Sequence, residues 1–324
     1  MRKVHKIMLT LLLAPLLFGC SGGVHETRDA AETPIADAVA AFGEPAPLRV
    51  VVTFDALYEI ASAVGADRVS VSRIIPDGAN AHHFEPAARD LAALNYADVF
   101  IKNGLGFEPW ACGAIAAAGH NALLVVDASR GVEPIALTGS CGPCDHVIGG
   151  KDHHNRSHDP HAWISLVNAE IMAGNILDAF TDADPAGAGC YAKNHAEFVE
   201  SLRALYDEFS EKFAALQNRT IVVSHAIFGY LSRDFGLTQS SIQGVFAEGE
   251  PNACALAELV GFSRENSVRA VLSEYLQSPL VAQTLAREIG AQVKTVYTIE
   301  NREKGLSYLE RMAHNLTVIY ESLR

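Results

Sequence analysis

Short runs of β-branched residues alternate with helical segments of about ten residues along most of this chain, and that rhythm admits few folds. Arg49 to Phe54 (RVVVTF) reads as a strand, Ala56 to Val64 as a helix and Arg68 to Ile75 as a second strand. Ala87 to Ala97 then reads as a helix, and Asp98 to Lys102 and Leu123 to Val126 as strands. Strands that are apolar throughout, rather than at alternate positions, are buried on both faces, as in a parallel sheet covered by crossover helices. The rhythm breaks at residues 139–159, where Gly, Pro, Asp and His replace apolar residues and a long surface loop is expected. Helices follow at Leu166 to Phe180, with Ser165 as N-cap, and at Ala196 to Leu216. Alternation then restarts: Thr220 to Ser224, Ala270 to Ser273 and Gln292 to Tyr297 as strands, Ala255 to Ser263 and Leu280 to Ile289 as helices, and a last helix from Ser307 to Leu323. The expected fold is α/β. Two parallel-sheet lobes, residues 48–163 and 184–324, are joined by a connecting helix at residues 164–183, with a ligand site in the cleft between them.

The N-terminus carries a different signal. Arg2, Lys3 and Lys6 precede an apolar stretch from Ile7 to Leu17, which is too short to span a bilayer core of about 30 Å and reads as a secretory leader. It ends in Leu17-Phe18-Gly19-Cys20, which resembles the bacterial lipobox. Residues 1–19 are then a lipoprotein signal peptide, Cys20 is the lipid-bearing first mature residue, and residues 20–47 are a flexible tether without helical or strand period. A formal net charge of −13 argues against a nucleic-acid partner, which would call for a basic face. With Cys20 lipidated, Cys112, Cys141, Cys144, Cys190 and Cys254 are an odd number, so at least one thiol is free or joined to another molecule, and the pairing stays open.

The histidines point to chemistry. His82 lies just past the second expected strand, His161 just before the connecting helix, and His225 directly after the strand Thr220 to Ser224. In open α/β sheets ligands bind beyond the carboxyl ends of the strands, so these three segments can converge on one cleft. Three neutral imidazoles suit zinc better than the oxygen-preferring Mg, Ca or Mn.

These segments are similar to those of the zinc- and manganese-binding substrate proteins of metal ABC importers, some first described as adhesin-like lipoproteins. The likeness runs from about Leu48 to Leu323. Gly78 to Pro86 (GANAHHFEP) resembles the family's Gly-x-Asp-Pro-His-x-Tyr-Glu-Pro, with Asn80 and Ala81 in place of Asp and Pro, which makes His82 the ligand and His83 the variable position. Asn103 to Glu108 (NGLGFE) resembles the Asn-Gly-Leu-Gly-Leu-Glu turn, and Asp159-Pro160-His161-Ala162-Trp163 the Asp-Pro-His-x-Trp segment. Ser224 to Tyr230 resembles the third segment, where manganese-selective relatives place Glu and this chain has His225.

The resemblance implies zinc bound by His82, His161 and His225. The fourth ligand stays open. The loop after the last strand, where the family has Asp, offers Glu300; water is another choice, and Glu274 matches a position that supports the site without binding metal. His146, His153, His154 and His158 resemble the auxiliary zinc-binding loop of zinc-specific members. The implied function is capture of zinc outside the cytoplasm by a lipid-anchored monomer and delivery to the membrane permease of an ABC importer. A secreted zinc hydrolase is the main alternative, though the chain has no His-Glu-x-x-His helix. A metal-containing surface adhesin is the other.

Overall fold

The computed structural model describes residues 46–137, 157–247 and 253–324. The expected leader, Cys20, and His146, His153 and His154 lie outside them. Among the described residues the strands form two parallel four-stranded sheets. In the first, β1 (Leu48–Val52), β2 (Val69–Arg73), β3 (Val99–Lys102) and β4 (Leu124–Asp127) lie in the order β2-β1-β3-β4. In the second, β5 (Thr220–His225), β6 (Thr238–Gln243), β7 (Ala270–Glu274) and β8 (Gln292–Val296) lie in the order β6-β5-β7-β8. The two share one topology. The most apolar strands are central: Val50 of β1 pairs with Val71 on one side and Val99 on the other.

Strand β6 was not expected from the sequence. Its residues TQSSIQ carry no apolar run, because an edge strand needs burial on one flank only. The helices are α1 (Asp55–Gly65), α2 (Ala88–Leu91), α3 (Ala111–Ala118), α4 (Leu166–Ala183), α5 (Ala188–Ala214), α6 (Gly229–Phe235), α7 (Ala253–Glu265), α8 (Leu280–Ile289) and α9 (Tyr308–Leu323). Among the described residues none is long and apolar enough to cross a membrane. The expected helix Ala87 to Ala97 shrinks to α2 followed by a 3₁₀ turn, Ala92–Asn95. Helix α5 begins at Ala188 rather than Ala196, despite Gly189 in its first turn. Its start is anchored by Asp184, which accepts from Gly187 N and from the Tyr191 hydroxyl at 2.8 Å and pairs with Arg68 of the first lobe.

One apolar core fills the space between the inner faces of the two sheets, with side chains from α1, α4, α5 and α9. Each outer face has its own smaller cluster, Val51 and Phe100 with α3, and Val222 and Val271 with α7 and α8. Helix α5 packs on α1 of the first lobe and on α9 of the second. Its Asn194 side chain donates to Val64 O at 3.1 Å, and its Phe198 and Phe213 rings lie 6.0 and 6.1 Å from Tyr308 and Tyr320.

Trp163 sits where the lobes meet. It is fully buried, its ring 4.5 Å from Phe54 and 5.1 Å from Phe107. Its Nε1 donates to Thr298 O of the second lobe at 2.8 Å, and its carbonyl accepts from the Tyr308 hydroxyl at 2.7 Å. Replacing Trp163 by Ala leaves a large cavity at this seam and orphans the Thr298 carbonyl. Urea unfolding should show a loss of about 3–5 kcal/mol.

Candidate metal centre

Four segments bring four donors to one point. His82 follows β2 in a turn that Gly78 opens at φ +82 and Asn80 caps, its Oδ1 accepting from His82 N at 3.0 Å. Asn80 thus supplies an acceptor where the family pattern has Asp. The cap turns His82 inward, to 7% exposure, and leaves His83 outside. His161 enters from the segment before α4, His225 ends β5, and Glu300 lies in the loop after β8. His82 Nε2 stands 3.1 Å from His161 Nε2 and 3.4 Å from Glu300 Oε1, and the three imidazole centroids are 4.9–5.0 Å apart. One donor atom from each of the four residues lies within 4.8 Å of all the others. Tetrahedral zinc with Zn–N of about 2.0–2.1 Å sets neighbouring donors about 3.3 Å apart. Two measured separations lie within a few tenths of an ångström of that edge.

Glu300 Oε1 is buried and has no hydrogen-bond partner. Orphaned buried carboxylate oxygens are rare unless a cation completes them. The donor set therefore fits a soft-to-borderline divalent metal.

Two of the donors are held from behind. Asp159 Oδ1 accepts from His161 N at 2.9 Å and faces His161 Nδ1 at 2.7 Å, which fixes the ring and leaves Nε2 facing the cluster. Asp159 is itself placed by Tyr230, whose hydroxyl donates to Asp159 O at 2.7 Å. Gly229 is obligatory here, since a Cβ would stand 2.6 Å from Asp159 Oδ2. Glu274 Oε1 lies 3.3 Å from His225 Nδ1 and accepts from Ser224 Oγ at 3.3 Å, while His225 Nε2 meets Val245 O at 2.8 Å. The turn Asn103–Glu108 locks the His161 segment to the first lobe. The Glu108 carboxylate gathers Asn103 N, Gly104 N and the Thr53 hydroxyl, which frees the Asn103 amide to donate to Pro160 O at 2.9 Å. Gly104, Leu105 and Gly106 all adopt positive φ, so the two glycines are what the turn requires.

Charge is distributed unevenly among the rings. Burial holds His161 well below the usual histidine range, and the neighbouring His225 and His82 push it further down. Burial also opposes charge on His225, but the hydrogen bond and charge of Glu274, with the charge of Glu300, outweigh it and lift this imidazole to about 9. Burial alone would raise Glu300; the contact and charge of His82, with the charge of His225, bring it below the ordinary carboxylate value. Desolvation pushes Asp159 and Glu108 up.

The structure brings together His82, His161, His225 and Glu300 and leaves Glu274 behind His225, outside the four. His158 is not among the converging donors. It bridges to Ala136, and its Nδ1 lies 2.8 Å from Ser157 Oγ. Asp159, Glu108, Tyr230 and Val245 were not assigned supporting roles from sequence. A carboxylate two residues before a buried histidine is the one signal that would have found Asp159. Cys112 and Cys190 are free and exposed, and Cys254 is disulfide-bonded.

Residues 50–322 match the sequence profile of the family described as ZnuA, zinc-uptake complex component A, periplasmic. A putative metal-binding protein of Treponema pallidum is 43% identical over 85% of this chain and 87% of its own length. The high-affinity zinc uptake system protein ZnuA of Bacillus subtilis is 32% identical over 85% of this chain and 88% of its own. The crystal structure of a zinc-bound mutant variant of AdcAII from Streptococcus pneumoniae superimposes with a TM-score of 0.76 at 28% identity, covering 86% of this chain and 99% of that one.

The lifted His225 value gives a direct test. Its charged form is stabilised by Glu274 in the folded protein, so that contribution is fully present below the ordinary 6.5 and is lost as pH rises through about 9. NMR titration of the imidazole resonances should place one ring near 9 in the protein without metal, and Glu274→Gln should move that ring down.

Proposed function

The chain belongs to the periplasmic zinc-uptake component A family, and on that premise we propose that His82, His161, His225 and Glu300 are the four protein ligands of the zinc ion it carries. It is an extracytoplasmic zinc-binding protein of an ABC-type uptake system. The observation that carries the ligand assignment is the convergence, within 4.8 Å, of donor atoms from three buried imidazoles and a buried carboxylate whose Oε1 has no hydrogen-bond partner.

Zinc is cargo here. The protein's residues strip it of water and replace that water with four fixed donors. Asp159 holds His161 in the tautomer that presents Nε2. His225 has Glu274 at Nδ1 and the Val245 carbonyl at Nε2, so the nitrogen that takes the metal must give up one of these contacts and its proton. Glu300 contributes a negative charge that offsets part of the ion's charge within the cleft. Four protein donors form a closed centre with no position for a reactive water, which supports capture rather than hydrolysis. Three nitrogens and one oxygen also disfavour manganese, which prefers oxygen-rich shells.

The lipobox-like segment before Cys20 supports a lipid anchor there, and the family likeness supports the remaining assignments. Cys20 carries the lipid anchor, the protein acts as a single chain, and it docks on the importer's permease. Residues 48–163 and 184–324 are the two lobes, linked through residues 164–183.

Calorimetric titration should give one tight zinc per chain. His82→Ala, His161→Ala and His225→Ala should each weaken it by more than the about 10–100-fold that loss of a supporting partner costs, while exposed His83→Ala leaves it nearly unchanged. Retention of tight zinc by His82→Ala together with its loss in His83→Ala would overturn the assignment. Because protons compete for His225, affinity should climb with pH until about 9, with close to one proton released per zinc near neutrality. Titrations in buffers of different ionisation enthalpy read that proton.

A further inference from the structure

Apart from the His82 ring, 3.4 Å from its Oε1, Glu300 has little to keep its side chain in place. Its Oε1 has no hydrogen-bond partner, and its N–H lies 3.5 Å from the Thr298 hydroxyl. Its position is set by the loop that carries it, and that loop is strained. Ile299 sits at φ +59, which a β-branched residue avoids unless its surroundings impose it.

The imposing group is Glu303, whose two oxygens accept separately from Thr298 N and Ile299 N, both at 3.2 Å. Behind it stands Arg311 of α9, with no exposed surface. Its Nη1 lies 3.4 Å from Glu303 Oε2 and donates to Asn301 O at 2.9 Å. The same nitrogen crosses to the first lobe, donating to Asp55 Oδ2 at 2.7 Å. Asp55 closes the circuit, since its own N–H donates to Glu300 O at 3.3 Å. From Asp55 the network continues through Arg73 to Asp77, which accepts from Arg302 N at 3.1 Å. Gly78, which opens the turn carrying His82, donates to Asn301 Oδ1 at 2.8 Å. Arg311 thus ties the segment that presents Glu300 to Asp55 of the first lobe, and Arg73 carries the network on to Asp77 beside the turn of His82.

Buried ion networks are a weak source of net stability, because desolvation offsets most of the attraction and apolar residues often serve as well. What this one does supply is placement. We propose that Arg311 is a positioning residue for zinc binding: it fixes the Glu300 loop against the first lobe and so sets how firmly Glu300 is held to the metal. The inference rests on the assignment of Glu300 as a ligand.

The test is a double-mutant cycle on the full chain, with zinc affinity read by competition against a fluorescent chelator, dissociation rate by chelator trapping, and Tm recorded for every variant. Arg311→Lys keeps the charge but not the geometry, and should weaken binding and speed release by about tenfold, the lower end of the effect of an outer-shell partner. In a Glu300→Gln background the same change should alter affinity by no more than about twofold, because the side chain it positions no longer binds as an anion. Equal weakening in both backgrounds would mean that Arg311 only supports the fold, and would overturn the proposal. No effect of Arg311→Lys in the parent chain would also overturn it. Glu300→Gln leaving affinity untouched would instead sink the ligand assignment, and this inference with it. Should Arg311→Lys not fold, Asp55→Asn breaks the same contact from the other lobe and is read in the same cycle with the same expectations.

Discussion

Holding three imidazoles and a carboxylate within one coordination shell, away from water, is the constraint on which the rest of this structure depends. Burial penalises every charge in the shell, and imidazolium rings repel one another, so the protein cannot leave their protonation to chance. Glu274 answers for His225 and Asp159 for His161, and each ring is aimed by the carboxylate behind it. Those carboxylates must in turn be held. Ser224 touches Glu274, Tyr230 holds the Asp159 backbone, and Gly229 is small because Asp159 needs the space. Burial at the centre therefore dictates residue types well outside it.

The donors also come from two separate sheets, so the lobes must meet in one fixed arrangement. A shared apolar core supplies most of the adhesion, and directional contacts supply the register. Trp163 joins the segment of His161 to the loop of Glu300 through its indole nitrogen, and Asn103 ties that same segment to the first lobe. Apolar packing alone would tolerate small slips between the lobes. Hydrogen bonds to single carbonyls do not.

How much of this was legible in the sequence depended on which force wrote it there. Strands buried on both faces must be apolar throughout, so β1, β3, β5 and β7 stood out, and their order implied parallel sheets. The edge strand β6 escaped because TQSSIQ has no such obligation. The start of α5 was misplaced because a tertiary anchor, Asp184 with Tyr191, overrides local propensity in its first turn. At the centre, His82, His161 and His225 were singled out because each lies near the end of an element that points into the cleft, while the fourth donor was left open between Glu300, Glu274 and water; the structure brings Glu300 into the group. His83 was separated from His82 by the family pattern, and the Asn80 cap gives the physical reason. Arg311 was not readable, and Glu108 was read only as the end of the Asn103–Glu108 turn. Only the three-dimensional meeting of lobes shows what they hold.

Helix α5 lies against both lobes along an uninterrupted length, Ala188–Ala214, with Tyr191, Phe198, Leu202, Phe209 and Phe213 buried on its inner side. In mechanical terms it is a strut. Swinging the lobes apart would strip its apolar face from α1 or from α9, at a free-energy cost set by a whole layer of packing. Bending the loops at the strand ends costs only a few hydrogen bonds. Movement at the centre is therefore less costly in the loops at the strand ends than between the lobes.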